Sequence, residues 1–347
     1  MEKKFLRAAL WMVAIAVVLR LISDGTVSAF LQKPEVVSLL VMAQTGRYVN
    51  PEVVEAMPTD PPPTQPTEPV ATVPEETEEI PESLEEEEEE EPPVYTAFGE
   101  ADAALVAVNC YNGYDVDVFS LLQTPLKWDL TGSAPTVLIV HSHGSESYKN
   151  TENYKESSAY RTLNTDYNMV SVGKRLAENL KKKGIQVVHD TTMHDQPSYN
   201  KAYTQSRKAV KAYLEKYPTI RLVLDLHRDA IAKSDGTQMG YTVKIGKEKA
   251  ARVMLVVGTD ASGKNHPNWK ENMAMAVKLH AQLEKTASGI CRPISFRRQR
   301  FNQDLSSGAV IVEVGAAGNT RQEALKAAEV LAESIAALAH GTMGEMS

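Results

Sequence analysis

Three short stretches hold the residue types that hydrolytic chemistry uses. VLIVHSHGSESY (137–148) supplies His141, His143 and Glu146; LVLDLHRDA (222–230) supplies His227 and Arg228; AVIVEVGAAGNT (309–320) supplies Glu313. Each is an apolar, β-branched run that ends in groups able to bind a metal or carry a proton. Imidazole nitrogen and carboxylate oxygen both suit zinc, and two His with one carboxylate leave a fourth position for water, the pattern of a catalytic site. His143 and Glu146 stand three residues apart, a spacing that brings both side chains to one side of a turn. His227 closes a continuous apolar run in the same kind of position. His141 competes with His143, because residues two apart on a strand share a face. His143 is preferred since it lies past the strand, beside Gly144, which leaves His141 to support a ligand or touch substrate.

Glu313 sits inside the apolar run Val310, Ile311, Val312, Val314, and a glutamate in such a strand needs a reason. One is an ion pair, for which Arg228 is the partner in view. The other is general-base catalysis, with a pKa raised by burial, taking a proton from water and passing it to a leaving amine. Other chemistries fail on inventory. There is no G-x-S-x-G elbow and no G-x-x-x-x-G-K-[ST] phosphate loop, and neither Cys110 nor Cys291 has a neighbouring His. The two cysteines could pair in an exported protein, but no spacing supports a bridge and they read as separate thiols.

The elements that must position these residues are legible as alternation. Strand-like runs at 136–141, 185–189, 221–226, 241–245, 251–258 and 309–314 are interleaved with helical periods at 166–183, 198–217, 267–285 and 321–339. This predicts an α/β fold with a mostly parallel central sheet and helices on both faces. In such a sheet, residues past the carboxyl ends of the strands converge on one crevice. The stretch 241–258 differs: two runs flank Gly246-Lys247-Glu248-Lys249, which predicts a hairpin or an antiparallel edge.

The 347 residues are not uniform. Residues 51–95 hold 16 acidic and no basic residues and are rich in Pro, a composition that stays disordered and extended. The folded body is expected at about 98–343. The N-terminus, MEKKFLR followed by an uncharged stretch from 8 to 19, reads as a membrane-targeting segment with its N-terminus in the cytoplasm and the rest outside. Arg20 can snorkel to the interface. Val27-Ser28-Ala29 loosely resembles a cleavage site, and an uncleaved anchor is the reading preferred. The expected organisation is a signal anchor at 1–29, a juxtamembrane segment at 30–50, an acidic linker at 51–97 and a catalytic domain at 98–347, with a single pass through the cell membrane and that domain extracytoplasmic. Residues 1–50 hold three acidic and six basic residues; the remainder keeps 26 of the 45 acidic and 31 of the 37 basic, a net +5. Such a body favours a polyanionic polymer or surface. It has no concentrated basic helix and no aromatic-stacking motif, so no nucleic-acid partner is expected.

From about residue 98 to 340 the chain resembles the stage II sporulation protein P family, zinc cell-wall hydrolases of endospore-forming bacteria, and more distantly the zinc N-acetylmuramoyl-L-alanine amidases of cell separation. The stretches that carry this are VLIVHSHGSESY, DLHRDA, RFNQDLSSGAVIVEVG (300–315) and Asn319. In the separation amidases a His-Gly turn after the first strand, a later glutamate and a second strand-end His hold zinc, and a glutamate on the last strand catalyses; His143, His227 and Glu313 match those positions. Those amidases take their ligand glutamate from the start of the following helix, where this chain reads LNTD (163–166). Glu146 is the nearest replacement, as in the HxxE of zinc carboxypeptidases, with Asp166 and His141 as alternatives.

The residues and the resemblance together point to a Zn2+ set of His143, Glu146 and His227, with Glu146 taken from its spacing to His143, to catalysis by Glu313, and to substrate-contacting or supporting roles for His141, Arg228 and Arg300. The resemblance implies that zinc-activated water cleaves the amide between N-acetylmuramic acid and L-alanine in peptidoglycan, with peptide crosslinks as a second target. It places this in sporulation engulfment, at the septal and engulfing membrane, with the sporulation proteins D and M as partners. Two other readings are a zinc peptidase confined to crosslinks and a non-catalytic wall-binding scaffold.

Overall fold

In the computed structural model, residues 98–126, 129–149, 151, 155 and 160–340 are described. The chain divides into units 1–87 and 88–347, and every described residue belongs to the second. The expected anchor, juxtamembrane segment and linker therefore lie outside the described residues. Among the described residues no helix is long and apolar enough to cross a membrane.

In chain order the elements are α1 (Glu100–Ala103), β1 (Val108–Cys110), α2 (Val118–Gln123), β2 (Val137–Val140), α3 (Met169–Lys182), β3 (Val187–His189), α4 (Ala202–Lys216, led in by a 3-10 turn at Tyr199–Lys201), β4 (Leu222–Asp229), β5 (Thr242–Ile245), β6 (Glu248–Ala251), β7 (Val253–Val257), α5 (Trp269–Thr286), β8 (Ile294–Phe296), a 3-10 turn at Gln303–Leu305, β9 (Ala309–Ala316) and α6 (Arg321–His340). Local chemistry sets the ends of the helices. Asn168 caps α3 by accepting from the Val170 N–H at 3.0 Å, and Lys181 and Lys182 in its last turn complement the helix dipole before Gly184 turns the chain at φ 83°. At α6, Thr320 and Glu323 form a reciprocal capping box, each side chain accepting from the other's N–H.

Seven strands form one sheet in the order β1-β8-β7-β9-β4-β2-β3. Every pairing is parallel except β7 with β9. The α/β expectation holds, with a refinement: two parallel blocks meet at one antiparallel joint. The expected hairpin is β5–β6, and the run at 251–258 divides at its start. Its 253–257 part is β7, which lies inside the sheet rather than at an antiparallel edge.

The two faces are covered unequally. Val137, Ile139, Leu222, Leu224, Leu226, Val310, Val312 and Val314 face the main core, which α3, α5 and α6 close with residues such as Leu176, Leu180, Leu279 and Leu331. Each fully buried side chain of this size contributes roughly 1.5–3 kcal/mol. The opposite face shows Leu138, Val140 and Val223 to Val210 of α4. Farther along, Met254, Val256 and Ile311 have, among the described residues, Tyr203 and Phe301 as the apolar side chains packed against them. The site lies on this thinner face. Both cysteines are free; Cys110 is exposed and Cys291 buried.

Candidate metal centre

The period-two alternation of β4 decides what reaches the thin face. Leu222, Leu224 and Leu226 point into the main core, so Asp225 and His227 point the other way. β9 runs alongside in parallel register, with His227 opposite Glu313, and Glu313 shares its face with Ile311. Past this pair the register shifts between His227 and Asp229. The shift is a bulge on β9, where Gly315 has φ 72°. A Cβ there would lie 2.8 Å from Ala251 Cβ and from Asn319 Oδ1, so glycine is required by both conformation and space.

The third contribution comes from the turn after β2. Glu146 N–H donates to His143 O at 3.2 Å, closing the expected three-residue turn. Glu146 Oε2 then stands 3.7 Å from His227 Nδ1, and the rings of His143 and His227 are 5.4 Å apart between centroids at 70°. His143, Glu146, His227 and Glu313 therefore come together on one face. Glu146 is buried and ringed by positive groups. The Arg228 N–H donates to its Oε2 at 3.2 Å, the Arg228 guanidinium lies 3.9 Å away, and Arg161 lies 3.7 Å away. Burial raises its pKa, but Arg228 and His227 outweigh this and bring it down to about 2.

Asp225 is a further carboxylate of the candidate site that the motif reading missed, although LVLDLHRDA shows it two residues before His227 and so on the same face. Its Oδ1 lies 3.0 Å from His227 Nε2. The contact is off the ring N–H direction, leaving Nε2 without a well-formed hydrogen bond, so it acts through charge. Asp225 also accepts from Ser142 N–H at 2.8 Å and Ser142 Oγ–H at 2.6 Å. One carboxylate thus supports His227 and pins the turn that carries His143. Burial works against a charged His227, but Asp225 and Glu146 overcome it and hold its pKa well above the ordinary imidazole value. The surroundings favour a cation at this point. His143 goes the other way: burial and the charge of His227 lower it to about 4, and its Nδ1 is buried with no partner.

Glu313 is partly exposed as a residue, yet its Oε2 is sealed and bonded to nothing among the described residues. Burial, with Asp229 and Glu146 adding to it against the pull of His227 and Arg228, raises its pKa to about 8. The alternative reading, an ion pair of Glu313 with Arg228, is not formed among the described residues: the Arg228 guanidinium donates to Ser147 O at 2.9 Å and Tyr160 O at 2.8 Å, which clamps the segment around Glu146.

The remaining sequence candidates lie elsewhere. β2 ends at Val140, so His141 keeps the strand alternation and enters the main core while the turned chain sends His143 to the thin face. His141 Nε2 meets His189 Nε2 at 2.8 Å, and its Nδ1 lies 3.3 Å from Leu226 O. Asp166 is exposed. Arg300 contacts Asp304 at 3.3 Å and donates to Asn265 O. Two tyrosines, one helical turn apart, line the site without having been singled out. Tyr199 stacks on His143 at 4.1 Å and 27°, with the Arg161 guanidinium over its ring, 4.3 Å from the centroid. Tyr203 meets His143 edge-on at 5.5 Å. No local pattern marks them, because the loop that brings them over the sheet is set by tertiary packing.

Among the described residues no group of three or more His, Cys, Asp or Glu is gathered closely enough to hold a metal as it stands. The donor set nevertheless fits one in chemistry. Two imidazoles and a carboxylate face each other, His143 Nδ1 is buried and unpaired, and donors about 2.0–2.2 Å from one tetrahedral ion lie somewhat over 3 Å apart, close to the 3.7 Å between His227 Nδ1 and Glu146 Oε2.

A family model described as stage II sporulation protein P matches residues 36–336. The stage II sporulation protein P of Bacillus subtilis (strain 168) is 30% identical over 214 residues, which are 58% of this chain and 51% of that protein; the match spans about half the length of that relative. Among solved structures, an N-acetylmuramoyl-L-alanine amidase of Nostoc punctiforme is similar at a TM-score of 0.35 and 14% identity, covering 60% of this chain and 97% of that one. An N-acetylmuramyl-L-alanine amidase of Mycobacterium smegmatis is similar at a TM-score of 0.38 and 12% identity, covering 62% and 100%.

Proposed function

Because the chain belongs to the stage II sporulation protein P family, we propose that it is a peptidoglycan hydrolase that cleaves the amide between N-acetylmuramic acid and L-alanine, and peptide crosslinks as a second target, with zinc held by His143, Glu146 and His227. The observation that carries the reading is the meeting of three separate strand ends: His227 beside Glu313 in register, and Glu146 3.7 Å from His227. Zinc, when bound, supplies a Lewis acid that polarises water and the scissile carbonyl. The protein supplies the rest. Asp225 sets the ring of His227 and the turn of His143. Arg228 fixes Glu146. Glu313 takes a proton from water and delivers it to the departing nitrogen. The thin face admits a substrate that the three-helix face would exclude. By the same family reasoning, the protein acts at the membrane in sporulation, attached by its N-terminal segment, with the sporulation proteins D and M as partners.

The test is metal analysis of the purified protein together with mass spectrometry of digested peptidoglycan. About one zinc per chain, lost in His227→Ala, and free stem peptides beginning with L-alanine are expected. Split crosslinks with stems still on muramic acid would confine the activity to endopeptidase. Wall binding without any cleavage by the zinc-loaded protein would leave a scaffold.

A further inference from the structure

Tyr203 has a use that the ligands and the general base leave open. Its ring lies over the site: the centroids of His143 and His227 are 5.5 and 6.3 Å away, and Phe301 packs behind it at 5.8 Å. Outside the helix ladder, its hydrogen bonds run through its backbone carbonyl, which accepts from Ser206 Oγ and from Asn302 Nδ2 at 2.9 Å. Those bonds fix the backbone of the first turn of α4. They join it to the chain Ser206–Ser142–Asp225 that also positions His227. The hydroxyl bonds none of the described residues, although the charges of Asp225, Glu313 and Glu146 all act on it. A hydroxyl that bonds none of the described residues, on a ring packed against both candidate imidazoles, is a donor left for something that enters the site.

We propose that the Tyr203 hydroxyl is a catalytic hydrogen-bond donor to the amide oxygen of the substrate as that oxygen becomes an oxyanion. This rests on the hydrolase reading above. In the step, the water oxygen bonds to the carbonyl carbon while Glu313 takes one water proton. The C=O π pair moves onto oxygen, which accepts from Tyr203 Oη–H. The pair then returns, the C–N bond breaks, and the nitrogen takes the proton from Glu313. The second water proton leaves the new carboxylic acid, so the products are a carboxylate and an ammonium group. Tyrosine stays neutral throughout and donates without transferring its proton. The fixed helix turn means that the donor need not reorganise as charge develops, which is where such a bond gains its effect.

The test is Tyr203→Phe in the full chain, which keeps the ring and its packing. Expected are unchanged zinc content and melting temperature, unchanged KM for a muramoyl-peptide, and a kcat lowered about 10²-fold, the usual cost of one oxyanion donor. A phosphinate isostere of the muramoyl–alanine amide, which mimics the tetrahedral oxyanion, should bind the variant about 10²-fold more weakly by calorimetry. Equal kcat and equal affinity for the phosphinate in both proteins would overturn the proposal. So would loss of zinc or of stability in Tyr203→Phe, which would assign the residue to holding the site together. A wild type that binds zinc and turns over no substrate would instead refute the hydrolase reading itself.

Discussion

At the scale of single residues, Asp225 and Glu313 are carboxylates on neighbouring strands of one face, and their surroundings push them apart. Asp225 is buried but accepts from Ser142 and faces His227, so its pKa ends below the ordinary value despite the penalty of burial. Glu313 has no such partner and ends raised. Carboxylates divided in this way suit different roles: on the proposed reading, one anchors a ligand and the other moves a proton. Asp225→Asn should weaken zinc affinity about 10- to 100-fold, the usual effect of losing a group that orients a ligand, as measured by competition with a chelator. Undiminished affinity would reduce Asp225 to a tether for Ser142. Glu313→Gln should keep zinc and lose about 10²- to 10⁴-fold in hydrolysis. The same variant has a pH signature in the metal-free protein. The unfolded glutamate ionises near the ordinary carboxyl value of 4.5 and the folded one at about 8. Between those values the native state holds more protons than the unfolded state, so stability falls as pH rises through the window. Gln does not titrate. The melting temperature of Glu313→Gln relative to wild type should therefore climb from about pH 4.5 to about pH 8 and level off above it; a flat difference across that range would show Glu313 to be solvated.

At the scale of elements, β2, β4 and β9 were readable because each opens on a short run dominated by apolar residues, and the four long helices because their apolar residues recur at the helical period. β1 and β8 were not: with three residues each, Val108–Cys110 and Ile294–Phe296 carry no pattern that stands out from a loop. Nor does strand direction leave a local mark, so the antiparallel joint of β7 with β9 was not visible in a run that otherwise looks like its neighbours. The candidate ligands were legible as types and spacings. The preference for His143 over His141 rested on where the strand ends, and β2 ends at Val140, which turns His143 toward the crevice and leaves His141 in the core. Gly173 of α3 tests that assignment. A Cβ on it would lie 2.5 Å from His189 Nε2 and 2.6 Å from His141 Nε2, so the helix approaches the sheet only because this residue has no side chain. Gly173→Ala should cost roughly 1–3 kcal/mol, as overpacking does, read as a lower melting temperature of the metal-free protein. Zinc affinity should stay within a few-fold of wild type, because His141 points away from His143 and Glu146. A collapse of zinc binding in this variant would bring His141 back as a ligand.

Across the whole molecule the charge is divided by segment. The chain carries −8 overall, yet residues 51–95 alone hold 16 acidic and no basic residues, and the part from 96 onward has a net +5. A carboxylate-rich wall polymer is attracted to the second and repelled by the first. Fields of this kind act between exposed charges over about a Debye length, ~10 Å at 0.1 M salt and ~3 Å at 1 M, and they change encounter and non-specific binding more than they change the fold. A chain lacking 51–95 should therefore sediment with purified peptidoglycan more strongly than the full chain at low salt, and the two should converge as salt approaches about 1 M. The comparison needs no turnover and can be made with Glu313→Gln, so that the polymer is not consumed during the measurement. Equal sedimentation at low salt would show that the acidic segment does not weaken binding through its charge. A difference that persisted unchanged in high salt would assign the segment a contact of its own with the wall rather than a long-range charge effect.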